Sequence, residues 1–228
     1  MTQDLVGTTS QHDYILLDGS GSMLPKWWPS LAAIDVYVDS LKIAHVNTQI
    51  ILSVFSSDDD RRFLLNEERC LPIHDWTPLC TVGVGAPFGG TPLYDAINAM
   101  GRRLRDIDPP RAAATIVTDG EEFASKTSLQ DAKRILDWMR AKGWQVTFIG
   151  CDFDNRKTAS LLGGNPASAI GVQKALLSDA AKNLAAKRAR YALYGEQMHF
   201  TEGEQTQFGG LLTASPPSSK EHVEESNG

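Results

Sequence analysis

An aspartate and two serines stand at alternate positions in Asp18-Gly19-Ser20-Gly21-Ser22. In a tight glycine-rich loop alternate side chains can converge on one point, because the glycines supply backbone freedom. A carboxylate and two hydroxyls are hard oxygen donors of the kind Mg²⁺, Mn²⁺ or Ca²⁺ prefers, and a small hydroxyl-rich site favours the first two. Two more oxygens of the same kind lie far along the chain: Thr91 in Gly89-Gly90-Thr91-Pro92, and Asp119 in Val117-Thr118-Asp119-Gly120-Glu121-Glu122. Each piece alone has an ordinary reading. The loop is a Gly/Ser turn, Thr91 before Pro92 is a helix N-cap, and Asp119-Gly120 is a plain turn. Their coincidence is what points to a metal site.

Positioning these groups falls to the elements around them. Tyr14–Leu17 is a short apolar run ending at Asp18, the pattern of a buried parallel strand. Helical spacing follows from Trp27 to Ala44, then a strand over Gln49–Phe55 and a short edge strand over Arg62–Leu65. Cys70–Gly90, rich in Pro and Gly, reads as a long loop. Pro92 opens a helix over Leu93–Ile107, stopped by Pro109-Pro110. A strand over Ala113–Thr118, a helix over Ser128–Ala141 closed by Gly143, and a strand over Gln145–Ile149 come next. A short helix over Asp154–Leu162, a strand over Ala167–Val172 and a helix over Gln173–Arg190 complete the pattern. Alternation of strand and helix predicts an α/β fold: a doubly wound, mostly parallel central sheet flanked by helices, with one short antiparallel edge strand. Ligands of such sheets bind beyond the carboxyl ends of the strands, where Asp18 and Asp119 fall. The expected organisation is an N-terminal arm over 1–11, one domain over 12–194, and a polar tail over 195–228. The last stretch of that tail, Ser215–Gly228, has the composition of a disordered segment.

The order DxSxS, then Thr, then Asp closely resembles the metal-ion-dependent adhesion site of von Willebrand factor A domains, and here it is complete as Asp18, Ser20, Ser22, Thr91 and Asp119. The resemblance spans residues 10–190, and segments such as GGTPLYDAI and VTDGEEFAS look like small bacterial or phage members. It implies that Ser20 and Ser22 bind the ion directly, Thr91 directly or through water, and Asp18 and Asp119 largely through water. An ion so poor in carboxylate ligands stays under-neutralised, so an Asp or Glu of a partner protein can fill an open position. An AAA+ ATPase, or a component of a stress system or phage, is the kind of partner the resemblance implies.

Composition narrows the alternatives. A formal charge of −6 over 228 residues argues against a nucleic-acid binder. The only basic cluster, around Lys187, Arg188 and Arg190, reads as a solvated helix face. Cys70, Cys80 and Cys151 form neither a CxxC pair nor a zinc spacing. Met1–Gln11 is polar without an apolar stretch, and no run of about 18 apolar residues exists to span a membrane. These features together predict a reduced, cytoplasmic protein.

Weaker signals surround the motif. Trp27 and Trp28 follow the serine loop, with at least one expected in the core and either a fit anchor for an interface. Glu121 and Glu122 suit an N-terminal helix turn better than metal tuning. The Gly83–Gly90 loop lacks a phosphate-loop register, and the histidines, His74 included, show no metal spacing. No nucleophile–base pair and no GxSxG is present. The expectation is therefore a non-enzymatic, metal-dependent protein-interaction module. A metal-assisted phosphoester hydrolase and a structural subunit with a purely stabilising metal are the alternatives.

Overall fold

A computed structural model describes residues 11–120 and 122–210. Five parallel strands, β1 (Gln11–Asp18), β2 (Thr48–Ser57), β4 (Ala112–Thr118), β5 (Gln145–Cys151) and β6 (Ala169–Val172), form one sheet with the antiparallel strand β3 (Phe63–Pro72). The spatial order is β3-β2-β1-β4-β5-β6. The chain thus winds outward from β1 to β3 and then returns to the other side of β1 as β4. That reversal opens a crevice at the carboxyl ends of β1 and β4, the usual ligand position in doubly wound sheets.

Helices cover both faces. α1 (Trp27–Ile43) and α5 (Leu177–Tyr194) lie on one, α2 (Leu93–Ile107) and α3 (Leu129–Ala141) on the other, and α4 (Arg156–Leu161) precedes β6. Side chains alternate across the sheet with period two. Along β1, Ile15 and Leu17 join the core under α1 and α5, while Tyr14 and Leu16 join the core under α2 and α3. This double burial explains why the central strands read as unbroken apolar runs.

Three expectations need correction. The edge strand β3 is longer than 62–65 and takes Cys70–Pro72 out of the loop. Its middle, Asn66-Glu67-Glu68-Arg69, is polar because one flank of an edge strand faces water, so it carries no apolar alternation to read. Second, Lys187 and Arg188 do not form a solvated face. Arg188 is 0% exposed, and its Nε and Nη2 each donate at 2.8 Å to Asp13 of β1, while Lys187 Nζ lies 2.9 Å from Glu204 Oε1. Third, the folded body continues past 194. A further helix, α6 (Glu202–Gly209), starts with a capping box between Thr201 and Glu204 and docks beside β6. Gln205 Nε2 donates to Ala169 O at 3.0 Å, and Met198, Phe200 and Phe208 are buried. Sparse anchors separated by polar residues carry this segment, which is why its periodicity looks faded. Gln11 belongs to β1 rather than to the arm. The rest of the arm and Ser215–Gly228 lie outside the described residues.

Candidate functional site

The five residues singled out by type and spacing sit on three segments at the switch point. Asp18 is the last residue of β1, Asp119 directly follows β4, and Thr91 precedes α2. Neighbouring strands set the first two side by side, since Leu17 of β1 pairs with Val117 of β4.

The serine loop is held by backbone bonds on both sides. Gly19 N donates to Phe55 O at 2.7 Å, Phe88 N to Gly19 O at 2.8 Å, and Gly21 N to Gly89 O at 3.0 Å. Gly89 has φ +71°, and a Cβ there would stand 1.7 Å from Ser57 O, so only glycine fits between the serine loop and β2. This contact brings the Thr91 loop against Ser20 and Ser22. Thr91 is buried, and its hydroxyl does not cap α2, whose N-cap is Pro92. It lies instead near Gly120, where a Cβ would be 3.9 Å from Thr91 Oγ1.

Each carboxylate orients a hydroxyl. Ser22 Oγ donates to Asp119 Oδ1 at 2.7 Å, and Ser20 Oγ stands 3.1 Å from Ser22 Oγ. Asp18 accepts the Ser20 N–H at 2.8 Å and the Thr118 hydroxyl at 2.5 Å. Burial pushes the Asp18 carboxyl up to about 6, against the pull of the Thr118 and Ser20 bonds and with help from nearby Asp119. The centre is thus a negative, oxygen-rich spot in which Asp18, Ser20 and Thr91 are buried and Ser22 is exposed. Among the described residues no three His, Cys, Asp or Glu side chains gather as a metal cluster, because only two carboxylates stand here and the remaining donors are hydroxyls.

Two participants escape sequence reasoning. Thr118 anchors Asp18 across adjacent strands. Lys26 lies at the end of the 3-10 turn Gly21–Lys26, and its Nζ is 2.6 Å from Asp119 Oδ2. Neither carries a local signal, since their partners lie 100 and 93 residues away. Glu122 proves to be a helix cap: Oε2 accepts Tyr94 N at 3.0 Å at the start of α2, and Oε1 accepts Ser125 N at 2.7 Å. Glu121 lies outside the described residues. Trp27 is in the core and Trp28 is exposed beside Lys26. Leu24, Phe88 and Phe123, on the three loops that build the site, are exposed as well. His74 sits in a separate turn paired with Asp75, and Cys70, Cys80 and Cys151 are free thiols.

No family model matches this sequence, and no curated protein does. Solved structures do. The von Willebrand factor type A protein from Catenulispora acidiphila is 20% identical with a TM-score of 0.60, covering 80% of this chain and 43% of its own. The pilus adhesin SpaC from Lactobacillus rhamnosus GG is 11% identical with a TM-score of 0.63, covering 83% of this chain and 31% of its own. Manganese-loaded TRAP protein from Plasmodium vivax is 15% identical with a TM-score of 0.55, covering 75% of this chain and 71% of its own. This chain therefore spans less than half the length of the first two. One of them is an adhesin of a pilus. The same finding corrects the cytoplasmic placement: this fold serves in a pilus, so a polar N-terminal stretch and unpaired cysteines do not place the chain in the cytoplasm. No helix among the described residues is long and apolar enough to cross a membrane. At these identities the likeness speaks for architecture alone, and by that architecture the chain is a von Willebrand factor A-like domain.

Proposed function

We propose that the chain is a non-enzymatic protein-interaction module that holds a divalent cation and uses it to bind an acidic side chain of a partner. Mg²⁺ is the first candidate ion, and Mn²⁺ or Ca²⁺ would use the same donors: Asp18, Ser20, Ser22, Thr91 and Asp119. The observation that carries this reading is the 3.1 Å between the Ser20 and Ser22 oxygens. Adjacent corners of an octahedron with bonds of about 2.1 Å lie about 3 Å apart. Asp119 accepts the hydrogen bond of the Ser22 hydroxyl, so a carboxylate outside the ion would turn the lone pairs of that oxygen toward it. A buried carboxyl such as Asp18, costly to ionise alone, gains from a neighbouring cation. Manganese in the TRAP structure supports the same choice of metal for this fold.

The ion supplies a Lewis-acidic point that accepts an external carboxylate. Around it the exposed Leu24, Trp28, Phe88 and Phe123 offer apolar contacts flanking that anchor. The interacting unit is the domain from β1 through α6. The deciding experiment is affinity capture from the source organism's lysate by three samples: wild type in Mg²⁺, wild type in EDTA, and Asp18→Ala/Ser20→Ala in Mg²⁺. A protein retained by the first alone supports ion-bridged binding. The same set of proteins in all three sinks it.

A further inference from the structure

Both oxygens of Asp119 are already engaged. Oδ1 takes the Ser22 hydroxyl and Oδ2 takes the Lys26 ammonium, and the Asp119 side chain is 0% exposed. Lys26 is the one Lys or Arg in a salt bridge with either carboxylate of the centre among the described residues. We propose that Lys26 is a tethered competitor of the divalent cation, displaced from Asp119 when the ion binds, so that it sets the metal concentration at which the site loads. This proposal rests on the metal reading above.

The local structure suits such an exchange. Met23 and Trp27 on either side of Lys26 are buried, which pins the backbone of the turn while leaving the side chain free to move. The Lys26 side chain keeps 17% of its surface exposed, a short way out to water for an ammonium on a four-carbon stem. An ammonium 2.6 Å from Asp119 Oδ2 stands one hydroxyl away from an ion held by Ser22, whose Oγ is 2.7 Å from the same carboxylate. Like charges at that range repel strongly, and the pair is shielded from solvent on the Asp119 side. Asp119 therefore holds a +1 partner at Oδ2 while orienting, through Ser22 at Oδ1, the site of a +2 partner, and the hold on the first lowers the affinity for the second. Placement also fits: Lys26 ends the turn that begins within the serine loop, so any ion-driven adjustment of Ser20 and Ser22 reaches it directly.

The test is calorimetric titration of Mn²⁺ into wild type, Lys26→Met, and Lys182→Met, the last removing an exposed charge elsewhere. Lys26→Met should bind at least about tenfold tighter than wild type, while Lys182→Met stays within about twofold, a long-range screened effect. In wild type, labelling of Lys26 by an amine-reactive ester, read by mass spectrometry, should rise when Mn²⁺ is added. This second readout requires no substitution and so stands even if Lys26→Met folds poorly. Equal affinity of wild type and Lys26→Met, or labelling of Lys26 indifferent to Mn²⁺, overturns the competitor role and leaves the metal reading intact. No binding heat in either protein overturns both.

Discussion

At the centre each serine hydroxyl has an acid group beside it, and this pairing decides what single substitutions do. Ser20→Ala or Ser22→Ala deletes one oxygen and its link to Ser22 or Asp119 while leaving the loop's backbone bonds in place. Titration should then show Mn²⁺ affinity reduced at least about tenfold. The melting temperature in EDTA should stay within about 4 °C of wild type, the scale of one lost hydrogen bond in a domain of this size. A different residue carries the opposite profile. Arg188 is buried against Asp13, which also accepts the Tyr37 and Thr48 hydroxyls at 2.7 Å each. Arg188→Ala strands a buried carboxylate and should cost about 3–5 kcal/mol in urea unfolding. Arg190→Ala, at an exposed neighbour, should stay within about 0.5 kcal/mol. Equal costs for the two would show that the buried pair does not hold α5 to the sheet.

Among the elements, α2 is tied to the loop after β4 rather than standing free. Glu122 caps its first turn, and Asp95 of that turn accepts Lys126 N at 2.9 Å and Thr127 N at 2.8 Å. Glu122→Ala should therefore cost about 1–2 kcal/mol, as a lost cap does, and change Mn²⁺ affinity far less than Ser20→Ala. A large affinity loss would instead make Glu122 part of the ion's surroundings. The same elements explain what the sequence could disclose. β1, β4 and α2 were legible because burial on both faces, a Pro at a helix entry and loop ends rich in Gly leave local marks; α2 was expected over the Leu93–Ile107 it occupies. The five candidate residues were expected at strand and helix ends, and that is where they lie. β3 was legible only in its first residues and α6 not at all, since an edge strand and an outlying helix bury only scattered side chains. Lys26 and Thr118 were hidden for another reason: contacts across about a hundred residues of chain leave no periodicity.

For the whole molecule, the proposed function links ion binding to folding. Mg²⁺ at about a hundredfold above its Kd should add about 2.7 kcal/mol of stability, seen as a melting temperature raised in wild type and unmoved in Asp18→Ala/Ser20→Ala. Acid acts at the β6 edge of the sheet. Partial burial opposes ionisation of Glu204, yet Lys187, the Thr201 N–H and Asn183 hold its carboxyl down at about 2 instead of 4.5. A depressed acid stabilises the fold fully above about 4.5 and loses that contribution as pH falls toward 2. The urea midpoint should thus drop between pH 5 and pH 3 by more in wild type than in Glu204→Gln, and an equal drop would show that α6 docks without this charge. Docking of α6 also makes the two margins of the sheet unlike. Along β6, Gln205 takes up Ala169 O and Phe208 O receives Gln173 N just past the strand, so α6 occupies that margin. β3 ends the sheet on the other side with its charged middle, Glu67-Glu68-Arg69. A ribbon that lengthens by strand addition needs a donor margin and an acceptor margin on every copy. Among the described residues one margin, β3, stands open, so pairing through it would stop at two copies instead of running on as a ribbon.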